Sequence, residues 1–217
     1  MNKLAKADWL VPTGLLALGF VPLVAGALRL AQLGTGAQLM PDNARFFDAP
    51  WPVVLHIVGA SLFCVFGAMQ FAPGLRRRHP RWHRTAGRWL VPFGLLAALS
   101  GLWMTQFLAS AAEPPASFDG PAVYAMRLAA GGAMALSLGL GLAAILKRDI
   151  ARHQAWMMRA YALGLGAGTQ ALTHLPWFLF PAIQGELLRA LCMGAGWLLN
   201  VAVAEWLIAR GRVSPRA

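Results

Sequence analysis

The sequence is poor in charge. Only 12% of its 217 residues are Asp, Glu, Lys or Arg, against about 25% in an ordinary globular domain, which excludes a conventional water-facing surface. Acid is scarcer still, with 8 carboxylates against 19 basic residues. The resulting +11 charge would point to nucleic acid if it formed one face of a soluble fold. Instead the basic residues sit in the gaps between apolar segments, so no nucleic-acid partner is expected. Cysteine is nearly missing: Cys64 and Cys192 both lie inside apolar runs. That excludes a disulfide framework and a Cys-rich metal site, and leaves two thiols acting as small hydrophobes. No Gly-rich phosphate loop, nucleophile elbow or HExxH motif occurs. The glycines of GLGAG (164–168) lie within an apolar run and read as packing surface, and no metal-ligand set is expected.

What is present is apolar length. The composition is 58% hydrophobic, with 23 glycines and 9 tryptophans, a combination suited to closely packed helices with aromatic residues at the membrane interfaces. A spanning helix needs about 20 mostly apolar residues. Six segments qualify: 9–32, 51–73, 88–110, 122–146, 156–180 and 187–209. The expected fold is all-α, an integral membrane bundle of six transmembrane helices forming a single transmembrane domain over 1–217. The opening MNKLAKADWL resembles a signal peptide. The apolar run behind it exceeds the usual core of about 7–15 residues, so it reads as a retained helix bent by Pro12 and Pro22.

Orientation follows from the Lys and Arg count. With the N-terminus inside, the inner segments hold Lys3, Lys6, Arg76, Arg77, Arg78, Arg81, Arg84, Arg88, Lys147, Arg148, Arg152, Arg159, Arg210, Arg212 and Arg216, fifteen of the nineteen basic residues. The outer side keeps Arg29, Arg45, Arg127 and Arg189. Both termini are therefore expected in the cytoplasm of a multi-pass protein of the bacterial inner membrane. Six arginines and two histidines crowd into RRRHPRWHRTAGR (76–88). Anionic lipid head groups at the inner face are the expected partner of this loop. HRTAGRW (83–89) and HQAWMMRAY (153–161) form a faint repeat, each placing a His near the start of a helix and an Arg five or six residues on.

Polar residues inside a bilayer are costly and are functional candidates by default. In the second segment His56, Ala60, Phe63, Gly67 and Gln70 share one helical stripe, which is expected to face the bundle. In the fifth, Trp156, Leu163, Ala167, Gln170 and His174 share another. His56 and His174 fall at similar expected depth, which suits two neutral imidazoles ligating a b-type haem. Arg29 and Arg127 lie near the same level as candidate partners for haem propionates. The commoner role of such a His is a hydrogen-bonded packing residue. His83 and His153 form a second level near helix starts, where the helix dipole favours neutral imidazole, and Asp149 is the expected N-cap beside His153. An interfacial His touching lipid phosphate or a loop carbonyl is the simpler reading of both. His79 is assigned no role. The last segment carries Asn200 and Glu205. A membrane-buried Glu should pair or be protonated, and Arg159 and Arg88 are its candidate partners. A structural ion pair is expected, with a proton-relay carboxylate as the other reading.

The blocks LHIVGASLFCVFGAMQFAPGLRRRHPRWHRTAGRWLVPFGLLAALSGLWM (55–104) and KRDIARHQAWMMRAYALGLGAGTQALTH (147–174) together resemble an uncharacterised family of predicted bacterial inner-membrane proteins, one of the domain-of-unknown-function families. The resemblance implies a multi-helix integral membrane protein with His56, His83, Arg84, Gly87, Arg88, His153, Trp156, Met158 and Arg159 at the family's recurrent positions. The position of His174 varies there, which turns attention toward His56 with His83 and His153. It implies no activity. Three function classes follow from the residues: a membrane redox protein holding b-type haem or a quinone on the histidines, a small-solute or proton transporter using Glu205, Asn200 and the histidines, and a non-catalytic membrane subunit or assembly factor. The first is the leading expectation.

Overall fold

The computed structural model describes residues 3–36, 44–108 and 119–213. The side chains of Lys3, Lys6, Arg45 and Arg212, all of Arg216, and residues 37–43 and 111–118 of the connectors 33–50 and 111–121 lie outside the described residues. Every described element is helical, and the chain divides into two compact units, 1–113 and 114–217. Among the described residues five helices are long and apolar enough to cross a membrane.

The first unit holds α1 (Lys3–Thr35), α2 (Ala44–Asp48), α3 (Pro50–Gln70), α4 (Pro73–Arg78) and α5 (Pro80–Phe107). Proline sits in the first turn of α3, α4 and α5, where its missing N–H costs nothing and its fixed φ suits the helix. α1 runs unbroken through Pro12 and Pro22. α5 begins eight residues before the expected span, because its first turns carry Arg81, Arg84 and Arg88 and are helical without being apolar. α3 and α5 make the most extensive pairing of the unit, and small residues allow it: Gly59, Gly67, Ala68, Ala97 and Ala98 are all buried. A Cβ on Gly59 would stand 2.9 Å from the Phe93 carbonyl oxygen and 3.0 Å from the Ala97 nitrogen. The two main chains thus touch across that glycine, as in small-residue packing of membrane helices.

The second unit holds α6 (Pro121–Leu146), α7 (Ile150–Gly164), α8 (Gly166–Thr173), α9 (Leu175–Leu179), the short 3-10 turn Pro181–Ile183 and α10 (Glu186–Val213). α6 and α7 form a tight hairpin. Arg148 takes φ +60° while the Asp149 N–H reaches back to the Ala144 carbonyl at 2.9 Å, the geometry of a Schellman stop. Asp149 then caps α7 by accepting the Arg152 N–H at 3.0 Å. The segment expected as one span over 156–180 is three successive helices, divided at Leu165 and His174. Gly164, Gly166 and Pro176 bracket these breaks and are poor at holding a continuous helical ladder. Trp197 of α10 seats its indole against Gly166, so closely that a Cβ there would overlap the ring nitrogen. Val123, Ala190 and Met193 form a buried cluster joined by Met126 and Trp197.

The outside of both units is apolar. Leu10, Trp51, Leu146, Leu187 and Leu198 are each at least 70% exposed. So much large hydrophobic surface does not occur on a water-soluble monomer and fits contact with lipid.

Candidate functional site

Three of the candidate histidines share one local design. His56 of α3 sets Nδ1 2.8 Å from the Ala97 carbonyl of α5. His153 of α7 sets Nδ1 2.9 Å from the Gly141 carbonyl of α6. His174, between α8 and α9, sets Nδ1 2.8 Å from the Gln170 carbonyl one turn earlier. A carbonyl oxygen only accepts, so each Nδ1 carries a proton, and in the neutral ring each Nε2 is left with a lone pair. That is the tautomer of an imidazole ready to ligate a metal or take a proton, held in orientation by its second nitrogen. Ser100 steadies the first of these. Its hydroxyl lies 3.4 Å from the His56 Nδ1 and bonds the Leu96 and Ala97 carbonyls of its own helix. A Cβ on Gly101 would sit 3.1 Å from the His56 ring, so that glycine makes room for it. His83 is the fourth residue of α5 and His153 the fourth of α7, so the faint sequence repeat falls at one structural position in two hairpins.

His174 is the most enclosed of the candidates, 6% exposed, and its Nε2 is buried with no hydrogen-bond partner. A buried polar atom without a partner is unusual in a folded protein and calls for a reason. Its surroundings are charged. Asp119, two residues before α6, takes Arg127 of α6 at 2.8 Å on one oxygen and Arg189 of α10 at 3.1 Å on the other. Arg189 also lies over the Trp177 ring, 5.8 Å from its centroid. Asp119 and Arg189 are both close enough to act on His174 electrostatically. The Glu186 carboxylate of α10 lies against Gly120, next to Asp119, so two guanidinium groups and two carboxylates gather at this end of the unit. Among the described residues, Gln70 of α3 provides the other unpaired buried side-chain atom, its Nε2.

A second set of polar groups runs along the contact of α7 and α8 with α10. Thr173 donates to the Cys192 carbonyl at 2.6 Å, and Gln170 Nε2 to the Met193 carbonyl at 3.1 Å. Thr169 donates to Asn200 Oδ1 at 2.7 Å, and Asn200 Nδ2 to the Ala162 carbonyl at 3.1 Å. Arg159 grips Glu205 bidentately, Nε to Oε1 and Nη2 to Oε2 at 2.8 Å, with its guanidinium 4.5 Å from the Trp156 ring centroid. These groups close on one another across the helices, which is the pattern of interhelical anchoring.

The remaining candidates fall elsewhere. Arg29 stacks over Phe46 at 4.5 Å, and Arg127 is engaged by Asp119, so both arginines considered for propionates already have partners in the fold. Arg88 is exposed on α5 in the first unit, while Glu205 is on Arg159 in the second. His56 belongs to the first unit; His153, His174, Arg159, Asn200 and Glu205 belong to the second. Asp119 was not singled out by the sequence reading. Its partners lie eight and seventy residues away, and only the shorter spacing is a local signal. Neither cysteine is in a disulfide. Among the described residues no group of three or more His, Cys, Asp or Glu is placed to hold a metal ion.

Apolar helices of spanning length, main chains in contact across glycine, and polar groups closed between helices define a multi-pass helical membrane protein. The chain belongs to the family described as Predicted membrane protein (DUF2306), whose model matches residues 53–208. The function of that family is unknown. Neither a curated protein nor a solved structure matches the chain.

Proposed function

We propose that this protein is a membrane redox protein that holds a b-type haem through the Nε2 lone pairs of its membrane histidines. The observation that carries the reading is the shared tautomer: His56, His153 and His174 each tie Nδ1–H to a main-chain carbonyl, and the buried Nε2 of His174 has no partner. The donor chemistry fits the group. Haem iron takes neutral imidazole nitrogens whose other N–H is oriented by an acceptor. Bound there, haem would supply one-electron transfer; the chain would hold the imidazoles in the ligating tautomer and keep water away from them. The same bare nitrogen suits a quinol, whose phenolic O–H it would accept, and this is the second redox reading. The anchoring pattern along α10 gives a transport path less support, because its groups are already closed on each other.

The same proposal puts six segments across a bacterial inner membrane with both termini in the cytoplasm. α7, α8 and α9 together would form the fifth span: about 45 Å of helix at 1.5 Å per residue, with breaks of one residue each. Fifteen of nineteen basic residues fall on one side in that arrangement, as the positive-inside rule asks.

Absorption spectra test the redox reading. The full-length protein is expressed with haem supply, purified in mild detergent, and recorded oxidised and dithionite-reduced. A Soret band with sharp reduced α and β bands is expected, lost or shifted in His56→Ala, His153→Ala or His174→Ala according to which imidazoles ligate. A colourless, monodisperse wild type would overturn the haem. If it also left the spectrum of an added ubiquinol unchanged, the redox reading as a whole would fall.

A further inference from the structure

The corner between α3 and α5 carries a charge that the fold does not use. Arg76, Arg77, Arg78, Arg81, Arg84 and Arg88 are all exposed. Arg77 meets Asp8 at 3.4 Å, but its side chain is 70% exposed, and an ion pair so open to solvent contributes little. The other five have neither an acidic nor an aromatic partner among the described residues. Asp48, the other described carboxylate of the unit, precedes the far end of α3, about 31 Å of helix away.

The arrangement is more specific than an excess of charge. α5 starts at Pro80, so Arg81, Arg84 and Arg88 stand at i, i+3 and i+7 on one helical stripe, within about 10 Å along the axis. Trp82, Trp89 and Phe93, at i, i+7 and i+11, form the adjacent stripe. Trp89 is 61% exposed and stacks on Phe93 with centroids 6.1 Å apart. Guanidinium groups beside an exposed indole, at the polar end of a helix whose remainder is apolar enough to span, match the layered chemistry of the headgroup region. Trp favours the interface there, and Arg pairs with phosphate through two N–H groups.

We infer that the Arg81–Arg84–Arg88 stripe, with Trp89 beside it, is a binding site for an anionic phospholipid of the surrounding membrane. The lipid phosphate takes the guanidinium N–H groups, and the Trp89 indole lies against the glycerol and upper acyl region. The inference rests on the chain spanning a membrane and is independent of any redox cofactor.

The test is lipid retention by the purified full-length protein. Detergent-solubilised protein is offered equimolar phosphatidylglycerol and phosphatidylcholine, and the retained lipid is counted by native mass spectrometry. Wild type is expected to prefer phosphatidylglycerol, and the preference should weaken as salt rises. The triple variant Arg81→Gln, Arg84→Gln, Arg88→Gln should lose it by at least about tenfold, each arginine being worth about fivefold near a lipid surface. A charge-matched triple in the second unit, Lys147→Gln, Arg148→Gln, Arg152→Gln, removes the same surface attraction without the stripe and should lower the preference several-fold less. Equal loss in the two triples, or no preference in wild type, would overturn the site and leave only diffuse attraction. Should the glutamine triple fail to insert, the Arg→Lys triple keeps the charge and removes the bidentate fork. It should still lower retention several-fold, and unchanged retention would count against the inference.

Discussion

A single hydrogen decides how closely α3 and α5 approach. Gly59 is buried, and the atoms a Cβ would meet are main-chain, the Phe93 oxygen at 2.9 Å and the Ala97 nitrogen at 3.0 Å. A flexible side chain would yield; a helix backbone cannot without moving the helix. Gly59→Ala should therefore destabilise the protein by about 1–3 kcal/mol, the usual cost of overpacking, read as a lower midpoint of thermal unfolding in detergent. Gly132→Ala is the matched control. That glycine is mid-helix with nothing within 4 Å of the added carbon, so alanine should be neutral or slightly stabilising through its better helix propensity. Equal effects at both positions would show that contact across Gly59 is not what holds the pair. The consequence reaches His56, because the Ala97 carbonyl that fixes its tautomer belongs to the residue that Gly59 admits.

The α7–α8–α9 region shows, among the helices, what sequence reading reaches and where it stops. Hydropathy marks 156–180 as a span because it averages over a window. The break at Leu165 is invisible to it because Trp197, from another helix, occupies the space at Gly166, and the break at His174 because a window average gives no weight to Pro176. Helix starts were likewise obscured where charge outweighed apolar content, as at Pro80, whereas α6 was legible almost to the residue because Gly120–Pro121 and Lys147–Asp149 punctuate it. The candidate site divides in the same way. The histidines and the Arg159 and Glu205 candidates are visible as polar residues in apolar runs. Their hydrogen bonds are not visible, because Ala97 lies forty-one residues from His56 and Cys192 nineteen from Thr173. Gly166→Ala should push Trp197 out of its seat, lower the unfolding midpoint, and change the indole fluorescence. Adding Trp197→Leu should recover part of the loss, with a coupling of about 0.5–3 kcal/mol in the double-mutant cycle. Strictly additive effects would mean that the break at Leu165 is set by local sequence alone.

At the scale of the whole molecule, the count of crossings fixes which side each group serves. Among the described residues five helices are individually long and apolar enough to span. With five crossings the termini would lie on opposite sides, and with six on the same side. The sixth crossing depends on whether α7, α8 and α9 behave as one rod in the bilayer despite Arg152, His153 and Arg159 in its first half. Arg159 can be carried at depth because Glu205 neutralises it bidentately, and a paired charge is far cheaper to hold than a lone one. Arg152 and His153 lie in the first turn, where a side chain can still reach the headgroups. Reporter fusions decide it: a cytoplasmically active reporter at Ala217 and at the N-terminus, and a periplasmically active one within 111–121. Six crossings predict that all three are active. Loss of activity at Ala217 alone, with a periplasmic reporter active there instead, would leave five crossings and reverse α10. It would also move the Arg159–Glu205 pair toward the opposite face of the membrane. The variant Arg159→Ala with Glu205→Ala extends the test. If pairing is what lets the rod cross, removing both charges together should leave the topology unchanged, whereas Glu205→Ala alone should lower the fraction of chains with Ala217 inside.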